Sequence, residues 1–171
     1  AAARFGGEWG TNWRAAVGRS DVDVVVVSTP NAYSSEIAIA ALENGKHVLV
    51  EKPMGRDLAE AEMLANAART SRGLLKIGFN HRYHPAVAKA HGLLREGVVG
   101  RIHFLRCVYG HGGRAGYDRE WRTRAASAGG GQLLDQGVHA LDLFRWFAGE
   151  FTEVRAFSAT SFWPITPLED N

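Results

Sequence analysis

The residues best suited to chemistry lie in one stretch, residues 129–143, where three glycines precede an amphipathic run. Asp135, His139 and Asp142 recur at i, i+4 and i+7, so a helix would place them on one face. A carboxylate one turn from an imidazole, about 6 Å between Cβ atoms, can orient the ring for use as a general base toward an alcohol proton. A helix that buries its leucines and carries an ordinary Asp–His contact is the alternative that this pattern leaves open.

A lysine follows a predicted strand in the sequence Glu51-Lys52-Pro53, directly after the apolar run at 47–50. Ligands of open α/β sheets bind outside the carboxyl ends of the strands, so Lys52 is placed where a ligand would lie. The following proline also restricts the backbone at Lys52 to extended conformations. A solvated surface lysine near a turn is the equally simple alternative.

Polar residues also follow the preceding strand, in the sequence Ser28-Thr29-Pro30-Asn31. These groups could contact a dinucleotide, or they could form a turn that caps the next helix, which is the commoner role of such residues. The strand that precedes them, 24–27, is a continuous run of four valines. Such a run is typical of a strand covered on both faces, as in a parallel sheet.

Two further sets of residues could hold a ligand. Asn80 and Arg82 follow a third apolar run, and Arg82 could bind an anionic or hydroxylated group or form a salt bridge between domains. Trp121 and Arg122 could pack against a sugar ring and bind its hydroxyls, although core packing is the usual role of a tryptophan. No motif predicts a metal site.

The elements that must position these residues change character along the chain. The first part alternates short apolar runs with helical patterns. We predict a short helix before residue 20, strands at 24–27, 47–50 and 74–79, and helices at 34–44 and 57–71. This order predicts right-handed βαβ units and an α/β fold with a parallel sheet.

After residue 82 the pattern predicts an α+β arrangement. We expect a helix at 85–96, an antiparallel strand at 101–109, a loop at 110–128, a helix to about 147 and a strand at 152–162. The change near residues 80–85 divides the chain into predicted domains at 1–82 and 83–171. Cys107 lies in the alternating strand and is expected to be a small buried residue.

Composition excludes several classes of function. The chain has 171 residues and a net charge of +2, with no basic stripe that would predict binding to nucleic acid. Its single cysteine excludes an intrachain disulfide and a cysteine-based zinc cluster. No apolar run approaches the length of a transmembrane helix, so we predict no membrane partner.

These motifs together resemble the Gfo/Idh/MocA family of NAD(P)-dependent oxidoreductases. The resemblance runs from about Trp9 to the end of the chain and rests on short motifs that are specific in combination: Thr29-Pro30-Asn31, Gly45-Lys46-His47-Val48, Glu51-Lys52-Pro53, Gly78-Phe79-Asn80 with Arg82 and Pro85, and Gly129-Gly130-Gly131 through Asp135, His139 and Asp142. It implies part of a doubly wound Rossmann domain, followed by part of a domain with an open, mainly antiparallel sheet. It also implies hydride transfer between a sugar, polyol or related hydroxy compound and NAD or NADP.

The resemblance assigns roles by position. Lys52, Asp135 and His139 would form the catalytic set and converge on one cavity, where they would also bind substrate together with Arg82, Trp121 and Arg122. His139 would take the hydroxyl proton while Lys52 hydrogen-bonds the same oxygen, although the division of acid–base work between these two stays open. The cofactor-side residues would be Ser28, Thr29, Pro30, Asn31, Glu51, Lys52, Pro53, Asn80 and Arg82. A glycoside-cleaving or non-catalytic sugar-binding member of the family is the alternative function.

Two departures from the family pattern affect these expectations. Tyr33-Ser34-Ser35 stands where relatives often carry a histidine. No G-x-G-x-x-G precedes the valine strand, so we expect a fragment without its opening βαβ unit and closing strands, inactive alone and a poor binder of dinucleotide. For the full-length protein we expect a homo-oligomer, a dimer or tetramer, formed through the C-terminal sheet. We expect a cytoplasmic location, with a periplasmic one left open.

Overall fold

The computed structural model describes residues 2–110 and 112–171, and the chain divides into two compact units, Ala1–Ile77 and Gly78–Asn171. The first unit contains every strand found in the described residues; its elements are the helices α1 (Ala2–Phe5), α2 (Trp13–Val17), α3 (Asn31–Glu43) and α4 (Leu58–Thr70) and the strands β1 (Val24–Val27), β2 (His47–Val50) and β3 (Leu75–Ile77). The division into domains at 1–82 and 83–171 stays a prediction.

The three strands form the parallel sheet that the βαβ pattern predicts, in the order β1-β2-β3. The register places Val27 beside Val50 and Val50 beside Ile77, so these side chains share one face. That face packs on α3 and α4 in a single hydrophobic core; the core residues that the two helices supply are Ile37, Ala38, Ala41, Leu42 and Leu64. The α/β fold with a parallel sheet is confirmed.

Coverage of both sheet faces, expected from the run of four valines, is not found in this part of the chain. Val24 and Val26 are 58% and 62% exposed, and Leu49 on the next strand is 39% exposed. The reason is that the core places both α3 and α4 against the opposite face. The valine run correctly indicates a strand, but it does not say which elements cover it.

Helix α3 begins three residues earlier than predicted, at Asn31 instead of Ser34. The buried Ser34 hydroxyl lies 3.3 Å from the carbonyl oxygens of Thr29 and Pro30, so it bonds back into the turn and does not cap the helix. The helix ends as predicted, because Gly45 has a φ of 72° and its N–H donates to the carbonyl of Leu42.

The second unit is helical and irregular in its described residues. It contains α5 (Pro85–Arg95), α6 (Ala125–Ala128) and α7 (Val138–Ala148), with 3-10 turns at Asn80–Tyr83, Tyr117–Arg119 and Trp121–Thr123 and a π turn at Leu133–Gly137. Three of these short helical segments fall in the region predicted as a loop at 110–128. The predicted helix through Asp135 is thus a π turn followed by α7, and Leu141, expected in its buried stripe, is 40% exposed.

The longest helices of the described chain have 13 residues, and none of its helices is long and apolar enough to cross a membrane.

The strands predicted at 101–109 and 152–162 are not formed in the described residues of this unit. Phe104 and Val108 are 77% and 86% exposed, and Cys107, expected to be buried, is exposed. A strand requires a neighbouring backbone to accept and donate hydrogen bonds, whereas an alternating pattern indicates only which side chains share a face. The second segment bonds to the residues that follow it, where the N–H of Ala159 donates to the carbonyl of Asn171 at 2.7 Å and its carbonyl accepts from the N–H groups of Asp170 and Asn171.

Candidate active site

The first unit presents polar residues at the carboxyl ends of β1 and β2. The N–H of Glu51 donates to the carbonyl of Val27 at 2.9 Å, which brings the chain after β2 beside the end of β1. Ser28 and Glu51 are exposed, whereas Thr29 and Asn31 are half-buried. Exposed and half-buried hydroxyl, amide and carboxylate groups at this edge fit a polar ligand that crosses the ends of parallel strands.

The segment that carries Lys52 is fixed on both sides of the lysine. Pro53, which follows a cis peptide bond, is buried, and the hydroxyl of Ser35 donates to the carbonyl of Met54 at 3.3 Å. A Cβ on Gly55 would lie 2.7 Å from the backbone nitrogen of Ala61, so only glycine allows this close approach to α4. The side chain of Lys52 is half-buried. The lysine therefore extends from an anchored loop.

The second unit buries the imidazole of His139, which is 5% exposed at the start of α7. The ring stacks on His81 with the centroids 3.9 Å apart and the planes 12° from parallel. Phe79 and Tyr109 contact it edge-on, with centroid distances of 6.1 Å and 6.4 Å. The two edge-on contacts have the distances and angles that aromatic pairs favour, whereas the His81 ring lies closer and face to face. Three rings therefore restrict the orientation of the imidazole.

Asp135 lies in the π turn directly before α7, a type of helical irregularity that is frequent at functional sites. Its carboxylate lies 3.7 Å from the guanidinium of Arg122 and accepts a 3.3 Å hydrogen bond from the side chain of Gln136. Arg122 also lies 4.5 Å from the centroid of the Trp121 ring. The structure thus brings together Asp135, Arg122 and Trp121, all of which the sequence predicts as site residues.

A buried tyrosine adjoins the same carboxylate. Tyr117 is 4% exposed, and its hydroxyl accepts a hydrogen bond from the side-chain amide of Gln132. Burial raises the pKa of Tyr117, and the negative charges of Asp135 and Glu120 raise it further. The phenol therefore stays protonated in the physiological range.

Arg82 forms a bidentate ion pair with Asp142 within the second unit. The Nε and one terminal nitrogen lie 2.7 Å and 2.5 Å from the two carboxylate oxygens. The side chain of Asp142 is 9% exposed, and this hydrogen-bonded carboxylate raises the pKa of Arg82 above its usual value. The guanidinium also lies 5.3 Å from the Trp146 ring. Of the two roles considered for Arg82, a ligand contact or a salt bridge, the structure shows a salt bridge.

Gly131 in the glycine-rich stretch lies against the backbone of Glu169. A Cβ on Gly131 would lie 2.0 Å from the carbonyl oxygen of Glu169. The Glu169 carboxylate accepts hydrogen bonds of 3.0 Å and 2.9 Å from the N–H groups of Gly131 and Leu133. It therefore caps the helical segment that carries Asp135 and His139, where a negative charge also interacts favourably with the helix dipole.

Sequence reasoning missed four residues of this region: His81, Tyr109, Tyr117 and Glu169. His81 stands between two residues that were singled out, Asn80 and Arg82, and its histidine side chain was a usable signal. Nothing in the local sequence links Tyr109 or Glu169 to the site, since their contacts depend on the tertiary fold. In the described part of the chain no group of three or more His, Cys, Asp or Glu side chains could hold a metal ion.

Comparison with known proteins places both units in one family. Residues 1–79 match a family model described as "Oxidoreductase family, NAD-binding Rossmann fold", and residues 87–171 match the "GFO/IDH/MocA C-terminal domain". Levoglucosan dehydrogenase from Pseudarthrobacter phenanthrenivorans is 39% identical over 172 residues, which cover 99% of this chain and 44% of the relative. 1,5-Anhydro-D-fructose reductase from Ensifer adhaerens is 39% identical over 137 residues, which cover 76% of this chain and 39% of the relative.

A solved structure of levoglucosan dehydrogenase in complex with NADH and levoglucosan superposes with a TM-score of 0.85 at 35% identity. The superposition covers 94% of this chain and 44% of that one, so the chain spans less than half the length of the relatives it matches. The two family models lie in sequence order, and the parallel sheet is that of a partial Rossmann fold. The chain belongs to the Gfo/Idh/MocA family of oxidoreductases.

Proposed function

We propose that the whole protein transfers a hydride between a hydroxyl-bearing carbon of a sugar, polyol or related compound and NAD or NADP. One observation carries the proposal: the buried imidazole of His139 is held by three rings at the start of α7, directly after the π turn that contains Asp135. An oriented imidazole next to a carboxylate-bearing turn is the arrangement that proton abstraction from an alcohol requires.

We propose that His139 accepts the proton of the substrate hydroxyl when the substrate is oxidised. The O–H bond of the substrate breaks and its proton passes to the imidazole, while the carbon loses hydrogen with both electrons and a C=O bond forms. A bound nicotinamide would supply the acceptor for that hydride. Lys52 donates a hydrogen bond to the substrate oxygen and stabilises the negative charge that develops there. Asp135 orients the substrate or the imidazole, and the rate lost in His139→Gln measures how the acid–base work divides between His139 and Lys52.

The cofactor would lie along the carboxyl ends of the strands. The exposed and half-buried polar groups described above fit a polar dinucleotide, and the family model that matches the first unit is described as NAD-binding. We assign the following residues to the cofactor side: Ser28, Thr29, Pro30, Asn31, Glu51, Lys52, Pro53, Asn80 and Arg82. Since Arg82 holds Asp142, we propose that it serves the site chiefly by fixing α7.

The substrate side of the proposal rests on the second unit. Arg122 lies beside Asp135 and over the ring of Trp121, so it offers a hydrogen-bond donor next to the carboxylate and a flat aromatic surface next to the donor. Two similar proteins are named for the anhydro sugars levoglucosan and 1,5-anhydro-D-fructose, which supports a cyclic carbohydrate. We also propose that the whole protein is a homo-oligomer and acts in the cytoplasm. The exposed Phe104, Val108 and Phe157 of the second unit are consistent with a further protein surface there.

The test is an activity assay of the whole protein with a panel of anhydro sugars, hexoses and inositols and with either NAD⁺ or NADP⁺. We expect a rise in absorbance of reduced nicotinamide with at least one carbohydrate, and transfer of deuterium from the labelled carbon to the cofactor. Release of free sugar from a glycoside without net reduced cofactor would instead identify a glycoside-cleaving member. Binding of sugar with neither reaction would contradict both enzymatic assignments.

A further inference from the structure

The histidine that stacks on His139 has no role in the mechanism above. His81 lies in the 3-10 turn Asn80–Tyr83, and its ring lies parallel to that of His139 at 3.9 Å. Such a distance is van der Waals contact between two flat rings, so rotation of the His139 ring about its side-chain bonds would collide with His81. The contact therefore limits the positions that the His139 nitrogens can take.

His81 is also held by Tyr109, whose ring contacts both imidazoles. Their rings meet edge to face at a centroid distance of 5.5 Å, and the tyrosine hydroxyl lies 3.4 Å from Nε2 of His81. The hydroxyl can donate or accept there, depending on the tautomer of the imidazole. Tyr109, His81 and His139 thus form a cluster of three mutually contacting rings in the second unit.

The turn that carries His81 is attached to α7 at two successive residues. His81 contacts α7 through His139, and the next residue, Arg82, pairs with Asp142 three positions further along the same helix. A two-point attachment fixes both the distance and the rotation of the turn relative to the helix. The stacking geometry is therefore built into the backbone arrangement and does not depend on one side-chain rotamer alone.

We propose that His81 is a positioning residue that holds the imidazole of His139 in the orientation needed for proton transfer, with Tyr109 in contact with both rings. This inference rests on the proposed function. It assigns His81 a role through its flat ring and not through contact with substrate. Reactions of this kind are sensitive to small misplacements of the catalytic group, since a shift of about 1 Å can cost roughly 100-fold in rate.

The experiment compares His81→Ala, which removes the ring, with His81→Phe, which keeps a flat ring and removes both nitrogens. In the whole protein we expect His81→Ala to lower kcat by roughly 10- to 100-fold with KM changed less than about threefold. We expect His81→Phe to stay within about threefold of wild type by the same reasoning. His84→Ala, which truncates an exposed histidine three residues away in the sequence, is the matched control and should match wild type.

A second readout does not depend on activity. The ring C–H signals of His139, assigned by their loss in His139→Gln, should be shifted upfield in the wild-type NMR spectrum by the stacked ring. His81→Phe should retain that shift and His81→Ala should remove it. An unchanged His139 signal in His81→Ala would overturn the stacking, and equal losses of kcat in both variants would overturn a role for the flat ring. If the wild type transfers no hydride, the proposed function fails; if it is active and His81→Ala matches it, only the positioning role fails.

Discussion

The ion pair between Arg82 and Asp142 should make a large and measurable contribution to the stability of the second unit. Both bonds are charge-assisted, at 2.7 Å and 2.5 Å, and the carboxylate is 9% exposed whereas the guanidinium is 35% exposed. Hydrogen bonds to charged groups contribute roughly 1.5–3 kcal/mol each, and the exposed third of the guanidinium favours the lower end. Together they should therefore stabilise the fold by about 3 kcal/mol.

The two single substitutions should differ because the partners differ in exposure. Arg82→Leu leaves a buried carboxylate without its cation, which costs about 3 kcal/mol. Asp142→Leu leaves an arginine that can turn its head group toward water, and we expect a loss of about 2 kcal/mol. The double variant buries no lone charge and should lose about 3 kcal/mol, so the coupling energy of the cycle is about 2 kcal/mol.

Urea unfolding followed by tryptophan fluorescence measures these differences, since Trp146 lies against the Arg82 guanidinium and reports on this region. Arg145→Leu on the same helix is the matched control. Its partner Glu150 is 76% exposed, so we expect no resolvable change in the urea midpoint. A coupling energy near zero, with Arg82→Leu as stable as the control, would refute the view that this pair fixes the turn on α7.

Two further predictions concern the end of the chain. Gly131→Ala should lower the free energy of unfolding by roughly 2 kcal/mol or more, because the added Cβ would lie 2.0 Å from the carbonyl oxygen of Glu169. Gly112→Ala is the control: a Cβ there meets open space, so we expect no change in the same urea titration. Three backbone N–H groups donate to the Asp170 carboxylate and hold the pKa of Asp170 below its usual range. The stabilising contribution of Asp170 is therefore present above pH about 4 and is lost as the pH falls through the lower pKa of the folded state. Asp170→Asn should flatten that acid limb of the stability–pH curve and Asp118→Asn should not; identical curves for wild type and Asp170→Asn would contradict this account.

The first unit could be predicted closely because its signals are local. The valine run, the end of α3 at Gly45 and the start of α4 after Asp57 each depend on residues within a few positions. The helix end follows from a positive φ at glycine, and the helix start from the Asp57 carboxylate accepting the N–H of Glu60 at 2.9 Å. Two predictions for this unit are wrong: the second face of the sheet is uncovered, since coverage depends on elements elsewhere in the chain, and α3 begins three residues before Ser34.

The second unit was predicted less well because its structure depends on contacts distant in sequence. The alternating pattern at 101–109 indicates two faces but supplies no partner strand, so the prediction of a strand there failed in the described residues. The π turn around Asp135 changes the helical phase that the i, i+4 spacing assumes. The stack of His81 on His139 joins residues 58 positions apart, beyond the reach of any local pattern.

The central claim is that His139 takes the proton of a substrate hydroxyl, and the most direct measurement is single-turnover hydride transfer by the whole protein with His139→Gln. Removal of a general base costs roughly 100- to 10,000-fold in rate, so we expect at least a 100-fold loss of the transfer rate with cofactor binding retained. If His139→Gln unfolds at the same urea concentration as the wild type, the loss of rate reflects the chemical step and not a loss of folded protein. A variant that transfers hydride within about threefold of the wild-type rate would contradict the account, since that difference is far below what a general base contributes.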